Sequence, residues 1–212
     1  TAESLCVACL FEDEALLRKQ LDLSDMFGAR TLVIITGGFE ALKSAGHDGD
    51  IDYARSLLVE RLALAAELAD SYRVRLAFEP LHPMVCGFRS IVSTLQESLD
   101  ILDQMDDSHD IGLAIDTYAL WWEHDLQEKL KRAGRRILNY HVSDWLADTR
   151  DLRLDRGMPG DGQIALCDWR HMIEAAGYFG PIEVEIFSRD RWWKTPAEKM
   201  IEEIIQRMNS AF

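Results

Sequence analysis

A chain of 212 residues, 48% hydrophobic and 28% charged, can bury one full core and is neither disordered nor fibrous. Its formal charge of -14 argues against a nucleic-acid partner, because binding to a phosphate backbone depends on clustered Lys and Arg. The apolar runs "TLVIIT" and "LLVERLALAAELA" are too short or too charged to span a bilayer, and no basic-then-apolar leader opens the chain. The expectation is a soluble, cytoplasmic protein with no membrane partner.

In chain order, strands are expected at Ser4 to Phe11, Thr31 to Thr36, Arg75 to Glu79, Ile111 to Asp116, Ile137 to Ser143 and Ile182 to Phe187. Amphipathic helices are expected at Glu12 to Phe27, Asp50 to Tyr72, Ile91 to Met105, Leu126 to Ala133, Asp168 to Ala176 and Pro196 to Met208. Gly28, Gly134 and Gly177 stand at helix stops, and Thr195 followed by Pro196 forms an N-cap with Pro in the first helical position. Regular alternation of strand and helix implies a parallel sheet. No linker or composition break divides the chain, so residues 1–212 are read as one domain.

Four cysteines are too few for a disulfide framework, and Cys6 and Cys9, although they form C-x-x-C, lie in a segment that reads as a buried strand. "ITGGFE" lacks the spacing of a dinucleotide or P-loop fingerprint, and Gly-x-Ser-x-Gly is absent.

Side chains two apart share one face of a strand. By this parity Glu79 sits with Ala77, Asp116 with Gly112 and Ala114, His141 with Asn139 and Ser143, and Glu185 with Glu183. The opposite faces, including Leu138, Tyr140 and Val142, are suited to packing under helices. Glu79, Asp116, His141 and Glu185 all fall towards the C-terminal ends of their strands, the end at which a closed parallel barrel would bring them towards one axis. Three carboxylates on one axis repel strongly unless a cation lies among them. Oxygen-rich ligation with one imidazole suits Mn²⁺ or Mg²⁺ best, with Co²⁺, Fe²⁺ or Zn²⁺ also open.

The segments "LAFEPLHP", "IDTYALWW", "NYHVSDW", "DRGMPGDG" and "GPIEVEIFS" resemble, in the same order, the sugar phosphate isomerase/epimerase family of xylose isomerase-like barrels, from about Ser4 to Trp193. The resemblance implies a (β/α)8 TIM barrel. Six strand–helix units are two short of eight, so about 60 to 70 residues at roughly 30 or more per unit are expected upstream. It also implies one divalent metal held by Glu79, Asp116, His141 and Glu185, with Glu79 and Glu185 doubling as the acid and base on opposite sides of a sugar carbon. Arg156 matches the family's substrate-contacting arginine in R-x-x-P-G-x-G. His82, Trp122 and Asp144 are further candidates for substrate contact, Asp144 alternatively as an orienter of His141.

One departure stands out. Close relatives carry a substrate-binding His where this chain has Ala119. The function expected is a metal-dependent isomerase or epimerase of a keto sugar or related polyol, working through a metal-stabilised enediolate. An inosose dehydratase-type lyase on the same fold and a catalytically reduced sugar-binding protein are the alternatives. The resemblance is also compatible with a homo-oligomer.

Overall fold

The computed structural model describes residues 2–43, 46–106 and 109–211. Six strands, β1 (Ser4–Cys9), β2 (Thr31–Ile35), β3 (Arg75–Phe78), β4 (Ile111–Asp116), β5 (Ile137–Val142) and β6 (Ile182–Val184), pair in chain order, and every neighbouring pair is parallel. The helices are α1 (Glu14–Phe27), α2 (Glu40–Lys43), α3 (Ile51–Asp70), α4 (Leu95–Leu102), α5 (Thr117–Leu120), α6 (Leu126–Ala133), α7 (Leu166–Ala175) and α8 (Ala197–Ala211). This is the α/β arrangement of a TIM barrel, represented by six consecutive strand units. The sheet curves so far round that the Ser4 hydroxyl on β1 donates to Glu183 Oε2 on β6 at 2.6 Å. Among the described residues no helix is long and apolar enough to cross a membrane.

Local sequence explains most helix limits. Asp13 caps α1 by accepting from the Ala15 N–H, and Gly28, at φ 64° and ψ 32°, closes it in the left-handed conformation that costs glycine least. Asp50 caps α3, whose buried Ala54, Leu58, Leu62, Ala65 and Ala69 recur at helical spacing. Residues 91–94 were expected to be helical and are not. Thr94 accepts from the Glu97 N–H, a Ser/Thr-x-x-Glu start that holds α4 back to Leu95, while Ile91 and Val92 lie buried in the core outside any helix. The two four-residue helices α2 and α5 lie below the length at which periodicity is readable.

The outer face of the sheet, with Leu32, Ile34, Leu76, Phe78, Leu113, Ile115, Tyr140 and Val142, packs under the helices. The inner face is filled by a small plug of Val33, Ala77 and Ala114, with Val7 and Leu138 against it. Leu138 corrects the parity expectation, which put it on the helix side. Between Leu113 and Ala114 the β4–β5 register shifts by one residue, so Leu138 becomes the extra residue and turns inward beside Asn139. A similar shift between Cys6 and Ala8 makes Val7 the extra residue of β1.

Gly112 makes the Leu138 insertion possible: a Cβ there would overlap the Arg136 carbonyl oxygen and lie 2.6 Å from Leu138 Cγ. Gly112→Ala is expected to destabilise the fold by about 1–3 kcal/mol through overpacking, read as a lower midpoint in urea denaturation with an unchanged slope.

Candidate metal and substrate site

The C-terminal ends of β3 to β6 deliver four polar groups to one place. Glu79 follows β3 directly, its N–H held by the Ile34 carbonyl at 2.9 Å; Asp116 ends β4; His141 lies in β5 and pairs in register with Asp116; Glu185 follows β6, its N–H on the Val142 carbonyl at 3.0 Å. Glu79, Asp116 and His141 are buried. One donor atom from each of Glu79, His141 and Glu185 can be chosen so that all three lie within 4.8 Å of one another. His141 Nδ1 and Glu79 Oε1 are 3.4 Å apart, both buried, and neither has a hydrogen-bond partner. Buried polar atoms left without partners are costly. Two of them facing each other in an oxygen- and nitrogen-rich cluster fit a divalent cation.

Asp116 stands differently. Its Oδ1 caps α5 by accepting from the Tyr118 N–H at 2.9 Å, and its Oδ2 accepts from Arg156 Nη1 at 2.9 Å. Both of its oxygens are thereby engaged, and it borders the trio without forming part of it. The same Arg156 nitrogen lies 2.9 Å from Glu185 Oε2, and the guanidinium is stacked 4.4 Å over the Tyr118 ring and 5.0 Å from the Phe187 ring. Sequence reasoning gave Arg156 a substrate contact; in the structure it also bridges two of the four expected ligands.

Below this layer, Glu183 accepts from Asn139 Nδ2 and from Ser4 Oγ, both at 2.6 Å, and its Oε1 lies 3.9 Å from His141 Nε2. The imidazole thus has one edge towards Glu79 and the other towards Glu183.

The charges shift the titration of the group. Burial, then Glu79 and Asp116, push Glu185 up to about 7. Burial by itself pulls the His141 imidazole down, but the Glu79, Glu185 and Asp116 carboxylates override it and bring it up to about 9. Burial and the same carboxylates raise the Cys6 thiol well above its usual range, so it stays protonated.

A cavity of about 300 Å³ opens over Glu79 and Glu185. This is the lower end of the range for small-molecule sites and suits a monosaccharide-sized ligand. His82 lines it. Its Nδ1 accepts from the Met84 N–H at 3.2 Å and burial lowers its pKa, so the neutral ring carries its proton on Nε2. Ala119 contributes a buried methyl to the wall.

Two candidates lie behind the cavity. Trp122 donates to the Ala119 carbonyl at 2.8 Å and touches His82 edge-on with ring centres 5.9 Å apart. Asp144 faces the following loop: its carboxylate accepts from the N–H groups of Trp145, Gly160, Gly162 and Ile164 at 2.8 to 3.0 Å. It therefore holds the loop that carries Arg156. Cys6, Arg89, Tyr118, Arg153 and Phe187 also line the cavity and were not singled out from sequence. Parity applied to the first strand would have found Cys6, in register with the inward Val33; the two arginines carry no signal beyond lying on loops after strands.

The profile of the family described as xylose isomerase-like TIM barrel matches residues 13–211. The chain belongs to this family. Among solved structures it is similar to protein SMc04130 from Sinorhizobium meliloti 1021, with 39% identity and a TM-score of 0.88 over 99% of this chain and 78% of that one. It is also similar to IOLI protein with a binding zinc atom, at 20% identity and a TM-score of 0.80 over 98% and 75% of the two chains. The E. coli 3-keto-D-glucoside 4-epimerase shares 16% identity and a TM-score of 0.71 over 97% and 77%. No curated protein matches the chain. At these identities the last two show the fold alone.

Two outcomes are expected. Asp144→Ala leaves four loop N–H groups without their acceptor and should cost about 2–4 kcal/mol, measured by chemical denaturation. Glu185 and His141 bind protons more tightly folded than unfolded. The stability from Glu185 is complete below its ordinary 4.5 and lost as pH rises through about 7; that from His141 is complete below 6.5 and lost through about 9. The metal-free protein should therefore melt lower at pH 9 than at pH 6, with a shallower slope in Glu185→Gln. Added Mn²⁺ should reverse the trend, because it binds deprotonated ligands, and at one hundred times its Kd should add about 2.7 kcal/mol. A slope unaffected by the ion would remove the metal site from this place.

Proposed function

We propose that the protein is a divalent-metal-dependent isomerase or epimerase of a keto sugar or related polyol. The observation that carries the reading is the convergence of the buried Glu79 and His141 with Glu185 in the wall of a sugar-sized cavity. A structural relative named as a keto-glucoside epimerase supports the reaction class. Glu79, His141 and Glu185, with Asp116 beside them, would hold the ion. When bound, it supplies positive charge that offsets the negative charge developing on substrate oxygens.

The chain's own residues account for the proton transfers. One of Glu79 and Glu185 takes the proton from the carbon next to the carbonyl, and the other returns a proton. Delivery to the opposite face inverts the carbon, and delivery to the neighbouring carbon isomerises the sugar. Arg156, held between the Tyr118 and Phe187 rings, presents its guanidinium beside Glu185, where it can bind a substrate hydroxyl. His82, in the cavity lining, offers Nε2–H as a second donor. At Ala119 the wall offers no donor, so that hydroxyl contact must come from elsewhere or be absent.

The Mn²⁺-loaded protein, incubated in D₂O with a panel of ketoses, is expected to place deuterium at the carbon beside the carbonyl. Glu185→Gln, checked for retained metal, should lower the exchange by roughly 10²- to 10⁴-fold. Product lighter by one water would instead identify a dehydratase. Sugars that raise the melting temperature without exchanging would identify a binding protein.

A further inference from the structure

The cavity has a second charged end. Arg89, on the loop after β3, and Arg153, on the loop after β5, line the same cavity as Glu79 and Glu185. Among the described residues, neither guanidinium takes part in a hydrogen bond or an ion pair. Acidic partners are not scarce, since the chain has 37 Asp and Glu against 23 Lys and Arg. On the adjacent surface Arg189, Arg191 and Lys194 are all paired, with Asp151, Asp155, Asp148 and Asp190.

Asp151, close to Arg153 in sequence, does not serve it. One Asp151 oxygen accepts the backbone N–H groups of Arg153 and Leu154 at 3.0 Å, and the other accepts from Arg189 at 3.2 Å. The third cavity arginine, Arg156, is by contrast committed to Asp116 and Glu185. The cavity thus carries both charges: the carboxylates of Glu79 and Glu185 at strand ends, and two uncommitted guanidinium groups on the loops after β3 and β5.

We propose that the substrate carries an oxyanion, a phosphate monoester or a carboxylate, at the end remote from its reacting carbon, and that Arg89 and Arg153 bind it. The inference rests on the reading of the cavity as a keto-sugar site. A neutral hydroxyl is served by a single uncharged donor, whereas guanidinium groups match the planar or tetrahedral oxygens of carboxylate and phosphate with paired N–H donors. The overall charge makes the device necessary. A protein at -14 repels anions at long range, and a positive rim gives an acidic substrate a locally attractive approach.

The Mn²⁺-loaded full chain is tested with one ketose in three forms: neutral, terminally phosphorylated and terminally oxidised to the carboxylate. At least one acidic form should show a KM about tenfold or more below that of the neutral form, and comparison of the two identifies the oxyanion. Arg89→Ala and Arg153→Ala should each raise that KM about tenfold, change kcat less than twofold and leave the neutral ketose unaffected. Arg150→Ala, a nearby charge outside this cavity, serves as control and should change nothing.

A neutral form that performs as well as both acidic ones, or variants that weaken all forms equally, would overturn the proposal. If no form exchanges deuterium, the reaction reading fails separately. The oxyanion site is then decided by calorimetric binding of the phosphorylated and carboxylated ketoses and of inorganic phosphate. Binding lost in the double variant upholds the site, and no binding to the wild type rejects it.

Discussion

Like charges cannot be gathered at the end of a parallel sheet for nothing, and the site is organised around that cost. The strands bring Glu79, Asp116 and Glu185 together because each lies within one residue of the C-terminal end of its strand. Repulsion among three carboxylates in a low-dielectric setting amounts to several kcal/mol. The fold meets it by keeping His141 in register with Asp116, by raising the proton affinity of both His141 and Glu185, and by filling the layer beneath with Glu183, Asn139 and Ser4. The small inner plug of Val33, Ala77 and Ala114, with Val7 and Leu138 against it, fills the inner face of the sheet with apolar side chains.

Much of this was legible in the sequence, for a physical reason. A strand has a period of two, so a polar residue on an otherwise small-residue face is visible without knowing what it meets. That is how Glu79, Asp116, His141 and Glu185 were found, and it is why the trio in the structure falls among them. What parity cannot show is a register shift, because a shift is a property of two neighbouring strands. Val7 and Leu138 turn inward for that reason, and for Leu138 the trace in the sequence is the missing side chain at Gly112. The start of α4 was misplaced because Ile91 and Val92 are apolar enough to extend a helical pattern, while the capping Thr94 lies beyond them.

The candidate substrate residues divide along a similar line. His82 lines the cavity and has a defined donor, because its neighbour Met84 fixes the other ring nitrogen. Asp144, two residues past β5, looked suited to the site, yet backbone geometry gives its carboxylate to the N–H of Trp145 and to three N–H groups of a loop sixteen to twenty residues further on. Gly162 is needed there because a Cβ would overlap the Trp145 carbonyl oxygen. A long-range tie of this kind is written in the approach of two backbones and has no local pattern. The aromatic group of His82, Tyr118, Trp121 and Trp145 then stiffens the wall that the loop leans on.

The bridge that Arg156 makes between Asp116 and Glu185 bears on how the protein is assembled. With that guanidinium in place and the His141 and Glu185 protons bound, the metal-free site is close to electroneutral. A divalent ion bound there would displace up to two protons and leave the total nearly where it was. The centre would then act as an ion exchanger, with bound protons holding the place of the ion while the chain folds, in contrast to small domains whose folding waits for metal.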